Sequence, residues 1–419
     1  MFSKLKSVRK VAILSVLTVA ALGLTACTGG EAGTRDSDVN TVSAEVATSF
    51  DEAVANALTL SGSTEAVVGV WNGDTAYVQG FGDGVDAATR FRAAQSSQPV
   101  MCALLLSLVE EGELSLDRKI TKDLTRQSGV DEVTYRQLCD QTSGLADFKK
   151  GLSDRVTNNP TRPWPEQELI AYGLAESPLP WAGENVNLSD TNALVLDRSI
   201  RLHTHLKTAN LLQLRVFTPA GMTSSSYPSD FDDTEIPQSS LTPLTYPSSG
   251  GAPVCEAEAG TLSGLSTSMI QGAGASLTTV TDLKKFYDAY LSGDFGGGQD
   301  TTEVRPAKNP ERDEQGNPTS EPDTEGRQIG FGGIEKIGPL FGRSGSVTGT
   351  ISAAYSDPET GLTVIVALNN SSAGSGFAQA LAFQLAALTG AELPWTAEEQ
   401  GALLTERAVC QTPPEEAAE

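Results

Sequence analysis

Histidine is nearly missing from this 419-residue chain, which has only His203 and His205. They stand two apart on a predicted helix, so they point to different faces and read as solvated surface. That reading leaves neither a histidine-based triad nor a histidine-rich metal centre. Basic residues are scarce too, 29 Lys and Arg against 53 Asp and Glu, for a formal charge of −24. So acidic a chain repels nucleic acid and anionic lipid headgroups, and neither is expected as a partner. Long apolar runs are absent but for one, 11–24, which is too short and wrongly flanked to remain in a bilayer as a spanning helix. The spacing of Cys102, Cys139, Cys255 and Cys410 fits no zinc motif, and no metal or other cofactor is expected. No internal repeat is found.

What is present begins with that apolar run. It follows a basic, acid-free stretch containing Lys4, Lys6, Arg9 and Lys10, and it ends at Leu24-Thr25-Ala26-Cys27. The pattern resembles the lipobox of bacterial lipoproteins, in which a diacylglycerol is attached to the cysteine and the preceding peptide, here 1–26, is removed. The resemblance implies an exported protein held on the outer face of the cell membrane through Cys27. Each buried methylene contributes ~0.8 kcal/mol and one acyl chain holds only marginally, so two or three chains anchor stably. Losing 1–26 removes four positive charges and no acid, which moves the charge from −24 to −28.

Residues 27–44, mostly Thr, Gly, Ser, Asp and Glu, read as a flexible linker between anchor and domain. The rest is long enough for a sizeable core. In an oxidising location its four cysteines are expected to form two disulfides, each stabilising by ~2–4 kcal/mol. Sequence does not fix the pairing; the working hypothesis is Cys102–Cys139 with Cys255–Cys410.

Periodicity predicts a helix over 46–60 and a hairpin of strands 66–71 and 75–80, joined through Asn72-Gly73-Asp74. Helices follow at 99–111, 134–141, 166–175, 192–208 and 281–291. Strands return at 338–343, 349–355 and 362–368, before a last helix at 376–388. Strands first, helices in the middle, strands and a helix last suit an α+β domain over 45–390, with a sheet built from both chain ends. Residues 295–327, rich in Gly, Pro and charge, are expected to be a disordered surface insertion. Residues 391–419 are expected to be an acidic tail.

The segment Phe91-Arg92-Ala93-Ala94-Gln95-Ser96-Ser97-Gln98 enters the helix that ends near Glu111-Gly112-Glu113-Leu114-Ser115-Leu116-Asp117. Leu138-Cys-Asp-Gln-Thr-Ser-Gly-Leu145, Val216-Phe-Thr-Pro-Ala-Gly-Met222, Gly272-Ala-Gly-Ala-Ser-Leu-Thr-Thr-Val-Thr-Asp-Leu283 and Gly342-Arg-Ser-Gly-Ser-Val-Thr-Gly349 follow in order. Together they resemble the serine β-lactamase and penicillin-binding family, in its class C β-lactamase and D-Ala-D-Ala carboxypeptidase branch. That resemblance implies a β-lactamase/transpeptidase-like fold, an antiparallel sheet flanked by helices plus a mostly helical subdomain.

The family's chemistry needs a serine at a helix start, a lysine one turn later on the same face, and backbone N–H groups for the oxyanion. The Ser-x-x-Lys positions hold Gln95 and Gln98, and a carboxamide is neither nucleophile nor base. The family's Tyr-x-Asn aligns with Leu188-Ser189-Asp190, where leucine carries no proton. The third box keeps a cation, Arg343, with Ser344 and Gly345 after it, and arginine can pair bidentately with a carboxylate. Ser96, Ser97 and Ser189 are the candidates for a relocated nucleophile; Ser96 and Ser97 are expected to cap a helix start instead. Lys149 and Lys150 are expected in solvent, and Tyr287, Tyr290 and Trp395 in packing.

The expectation carried forward is a catalytically inactive surface lipoprotein. Its cleft, lined by Gln95, Gln98, Ser189, Asp190, Arg343, Ser344 and Gly345, would bind a carboxylate-bearing peptide such as a peptidoglycan stem, or the protein would bind an envelope protein. The alternatives are an active carboxypeptidase, β-lactamase or esterase with a relocated serine, and a structural envelope scaffold.

Overall fold

The computed structural model describes residues 38–410, residue 232 excepted. Cys27, the 1–26 leader, most of the expected linker and residues 411–419 lie outside the described residues.

Nine strands form one fully antiparallel sheet: β1 Val39–Asn40, β2 Ala66–Asn72, β3 Thr75–Phe81, β4 Val304–Pro306, β5 Gln328–Gly330, β6 Glu335–Ile337, β7 Leu340–Val347, β8 Thr350–Ser356 and β9 Thr363–Leu368. Their order across the sheet is β1-β3-β2-β9-β8-β7-β6-β5-β4, so the first hairpin and the last strands meet at its centre, as the order of elements in sequence implies. Asn72 pairs with Thr75, leaving a two-residue loop, and Gly73 takes a positive φ of 58° that glycine adopts without strain.

The central strands are apolar on both sides, and alternation sorts their side chains. In β9, Val364, Val366 and Leu368 join one core, while Ile365 and Ala367 join the other. The first core is closed by α1 (Ala44–Ser61) and α8 (Ser375–Leu388), through Phe50, Val54, Phe377, Leu381 and Leu385. The second packs the sheet against the helical part, whose centre is α2 (Pro99–Glu110). Leu104, Leu105, Leu106 and Leu108 are all buried, so α2 is apolar around its circumference, as a helix inside a core must be. Around it lie α3 (Tyr135–Cys139), α4 (Ser153–Thr157), α5 (Glu166–Ala175), α6 (Asp190–Thr204) and α7 (Val280–Leu291).

Both expected disulfides are present: Cys102–Cys139 joins α2 to α3, and Cys255–Cys410 ties the end of the described chain to a mid-chain loop.

Four features depart from expectation for identifiable reasons. The 295–327 segment is organised rather than disordered. Phe295 packs on Phe286 and Tyr290, the Thr301 hydroxyl donates to the Tyr290 carbonyl, and β4 becomes the edge of the sheet. Asp300 and Asp313 collect nearby backbone N–H groups, so side chains satisfy a backbone that has little apolar surface to bury. The expected tail contains a helix, α9 (Ala397–Glu406), started by a capping box of Thr396 and Glu399, with Trp395 stacked on Phe383 before it. The expected strand at 338–343 is two strands, β6 and β7, with the turn at 338–339. Helix α6 starts at Asp190 and stops at Thr204, where His205 turns left-handed.

Candidate functional site

The short turn Ala94–Ser97 that leads into α2 lies flush on β7. A Cβ on Gly345 would come within 2.2 Å of the Gln95 backbone nitrogen, and one on Gly274 within 2.6 Å of the Ala94 backbone. Only glycine permits that approach from both sides. Between them Ala94 takes φ of 48°, a conformation costly for a residue with a Cβ and held here by its surroundings. This clamp fixes where the next side chain points.

That side chain is Gln95, 6 % exposed. Its Oε1 accepts the Ser346 backbone N–H at 2.9 Å, and its Nε2 donates to Asp190 Oδ2 at 2.7 Å. One carboxamide therefore bridges the sheet and the first residue of α6. Asp190 is buried, and its carboxylate at a helix N-terminus meets the favourable end of the dipole. The same Oδ2 receives the Lys149 ammonium at 2.5 Å. Lys149 is not in open solvent as expected; its side chain is 36 % exposed and reaches inward. Its loop is held by α6: the Asn192 amide donates to Gln141 Oε1 at 2.9 Å, and the Thr191 hydroxyl donates to the Ala146 carbonyl at 2.6 Å.

Gln98, one turn after Gln95, is 2 % exposed, and among the described residues its carboxamide makes no hydrogen bond. Arg343, 6 % exposed, donates from Nη1 to the Gly333 carbonyl, and its Nε has no partner among the described residues. Alternation along β7 sends Ser344 to the opposite face, so it does not join Arg343 and Gly345.

The candidate serines are committed elsewhere. Ser96 donates to the Ala93 carbonyl and meets the Ser352 hydroxyl at 2.9 Å inside the core, and Ser97 donates to the Ala94 carbonyl at 3.0 Å. Neither caps a helix as expected, because α2 starts at Pro99 and the capping position before it is Gln98. Ser189 does cap: its hydroxyl accepts the Thr191 N–H at the start of α6. Leu188 is half-buried beside it. His203 bridges Asp123 and the Glu113 carbonyl away from the site, and among the described residues no group of His, Cys, Asp and Glu is placed to hold a metal ion. Tyr287 and Tyr290 are core residues, as expected.

The Beta-lactamase family model matches residues 50–389. The chain belongs to that family. Solved structures of similar fold include a D-stereospecific amidohydrolase from Streptomyces sp. (TM-score 0.62, 22 % identity, 76 % of this chain and 94 % of that one). Another is the D-amino acid amidase from Ochrobactrum anthropi (0.61, 17 %, 78 % and 92 %). A third is the octameric penicillin-binding protein homologue from Pyrococcus abyssi (0.64, 18 %, 83 % and 78 %). At these identities the likeness is one of fold.

Sequence reasoning missed two members of this Beta-lactamase-family site, Lys149 and Asp147. Both follow the Thr-Ser-Gly-Leu turn, and no local pattern distinguishes a lysine folded inward from one in water. Burial disfavours the Lys149 charge, but Asp190 and Asp147 outweigh burial and hold its pKa above the ordinary lysine value. Burial likewise opposes the Asp190 charge, and Lys149, Arg343 and the Gln95 amide more than compensate, holding its pKa below the ordinary value. Asp147 goes the other way: burial, then the charge of Asp190, pushes its pKa up.

Beside this cluster a groove of about 250 Å³ opens. Lys149 and Ser346 stand at one end, and Leu152, Val156, Trp164 and Met269 form apolar walls. Arg343 is not among its lining residues, so the ammonium of Lys149 is the cation that a ligand there meets.

Two predictions follow from the buried amides and the ion pair. Gln98→Met should be neutral or stabilise by about 1 kcal/mol, since it removes a buried group without partners, whereas Gln95→Met should cost about 1–3 kcal/mol by stranding two. Urea unfolding distinguishes them, and a larger loss for Gln98→Met contradicts the assignment. Asp190, its folded pKa below 3.8, contributes stability present above that pH and lost as pH falls through the folded value. Lys149, its folded pKa above 10.5, contributes stability lost only as pH rises through the folded value. Asp190→Asn should therefore cost about 1–3 kcal/mol at neutral pH, reduced by solvent around Lys149, and the gap from the parent should narrow as pH falls below the ordinary aspartate range and through the folded value. An equal gap at neutral and at low pH argues against the pair.

Proposed function

We propose that this chain is a non-catalytic member of the Beta-lactamase family, exported and anchored through Cys27, that binds a carboxylate-bearing peptide in the groove beside Lys149. One observation carries the proposal: the Gln95 carboxamide stands where the family places its nucleophile, and its oxygen takes the Ser346 N–H while its nitrogen takes Asp190. A carboxamide is not a nucleophile, and one so engaged leaves that backbone donor unavailable to an oxyanion.

The proton chemistry supports the same reading. Gln98 replaces the lysine base, and Lys149, with its pKa held high, stays protonated at neutral pH. In a serine protease, loss of the catalytic group costs on the order of 10⁶ in turnover. A protonated lysine at the end of an apolar groove instead suits a ligand with a carboxylate and a hydrophobic body. D-amino acid amidase and penicillin-binding protein, both named among the chains of like fold, are consistent with a ligand such as a cell-wall stem peptide ending in D-residues.

Incubation of the full chain with fluorescent penicillin and with a fluorophosphonate is expected to give no covalent label. Titration with a peptide ending in D-Ala-D-Ala is expected to show saturable binding, weakened about tenfold by Lys149→Ala. Covalent labelling at Ser96, Ser97, Ser189 or Ser346 overturns the non-catalytic reading. Absence of binding leaves the cleft vestigial and favours an envelope scaffold. Incorporation of radiolabelled palmitate that is lost in Cys27→Ala tests the anchor.

A further inference from the structure

Asp147 and Lys149 stand two residues apart in one loop and face different spaces. Lys149 lines the groove described above, while Asp147 lines a second cavity of about 370 Å³. That volume is near the lower end of small-molecule pockets, about 300–1,000 Å³. Leu179, Val186, Leu188 and Ile329 give it an aliphatic side, and Asn187, Ser189, Asn309 and Arg327 line the rest.

The 295–327 segment, which the proposed function leaves without a role, builds one side of this cavity. Asn309 grips the backbone of Val186 in both directions, accepting its N–H at 2.7 Å and donating to its carbonyl at 2.8 Å. Arg312 donates to Asn185 Oδ1 at 3.0 Å. These bonds fix the insertion against the stretch 185–189, so the cavity has a wall held at several points.

Two charged side chains line the cavity, Asp147 and Arg327, and Arg327 is paired with Glu335 at 3.5 Å. Backbone N–H groups of Lys149 and Asp190 donate to the Asp147 carboxylate, the former at 3.0 Å. The Lys149 ammonium, however, is bound 2.5 Å away on Asp190. We propose that this cavity is a second binding site, for a primary ammonium ion carrying an aliphatic side chain, with the ammonium on Asp147 and the side chain against Leu179, Val186, Leu188 and Ile329. The chemistry is that of an aliphatic α-amino acid or the free amino end of a peptide. The upward displacement of the Asp147 pKa, caused first by burial and then by Asp190, fits a carboxylate that an incoming cation relieves. Leu188, at the position of the family's proton-shuttling tyrosine, acquires a role here as part of an apolar wall.

The test is calorimetric titration of the full chain with leucinamide, leucine, the tripeptide Leu-Gly-Gly and isocaproamide, which has the leucinamide shape without the amine. Leucinamide is expected to bind and isocaproamide to bind at least about tenfold more weakly. Asp147→Asn should weaken leucinamide by about tenfold or more. Leu188→Trp, which fills the cavity and leaves Asp147 in place, should abolish binding and keeps the test decisive if Asp147→Asn does not fold. Leucine binding without Leu-Gly-Gly identifies a free amino acid as the ligand, and binding of the tripeptide identifies a peptide N-terminus. Equal binding of leucinamide and isocaproamide, no binding of any amine up to roughly millimolar concentration, or binding indifferent to Leu188→Trp overturns the proposal. Lys149→Ala separates the two sites, since it weakens carboxylate probes of the groove and leaves the Leu188→Trp effect on amines intact.

Discussion

The Gln95 carboxamide joins three parts of the molecule that come from distant stretches of chain. It rises from the turn before α2, takes the Ser346 N–H on β7 and meets Asp190 at the start of α6. Its position is set from behind by two glycines, Gly274 and Gly345, which let the backbone lie against the sheet in a conformation that Ala94 would not otherwise adopt. Everything else in the site is arranged around that bridge: Lys149 reaches Asp190, and the loop carrying Lys149 is fixed to α6. The turn before α2 thus presents a side chain that is bonded at once to the sheet and to α6.

Charge in the site is distributed so that each cation has an internal obligation. Arg343, which the motif suggests as an anion receptor, is buried with Nη1 on the Gly333 carbonyl. Lys149 shares Asp190 but remains partly exposed and lines the groove. Asp147, on the same loop, faces another cavity. The loop thus presents an ammonium to one space and a carboxylate to the other within two residues.

Much of the fold was legible in sequence because its cues are local or ordered. The hairpin at Gly73, the apolar run of α2 and the alternation in β9 follow from periodicity and turn chemistry, and the family motifs fixed the order of the rest. What was not legible depends on packing between distant segments. Residues 295–327 carry a disordered composition yet are organised by Asp and Asn side chains gripping backbone, and α9 sits inside a stretch whose acidity masks a capping box. In the site, the identities of Gln95, Gln98 and Leu188 announced that the serine, lysine and tyrosine of the family motifs are replaced. They could not announce that Gln95 would fill the vacated place, that Ser344 would turn away, or that Lys149 would fold inward, because those outcomes are decided by residues up to 251 positions apart in the chain.

Gln95 occupies the backbone donor at Ser346, and amide hydrogen exchange reads that bond directly. Ser346 N–H points to the site, so its protection depends on Gln95. The predicted result is slow exchange at Ser346 in the parent and acceleration by about tenfold or more in Gln95→Ala, with neighbouring β7 amides bonded to β8 little changed. Fast exchange at Ser346 in the parent, or no change in Gln95→Ala, would contradict it.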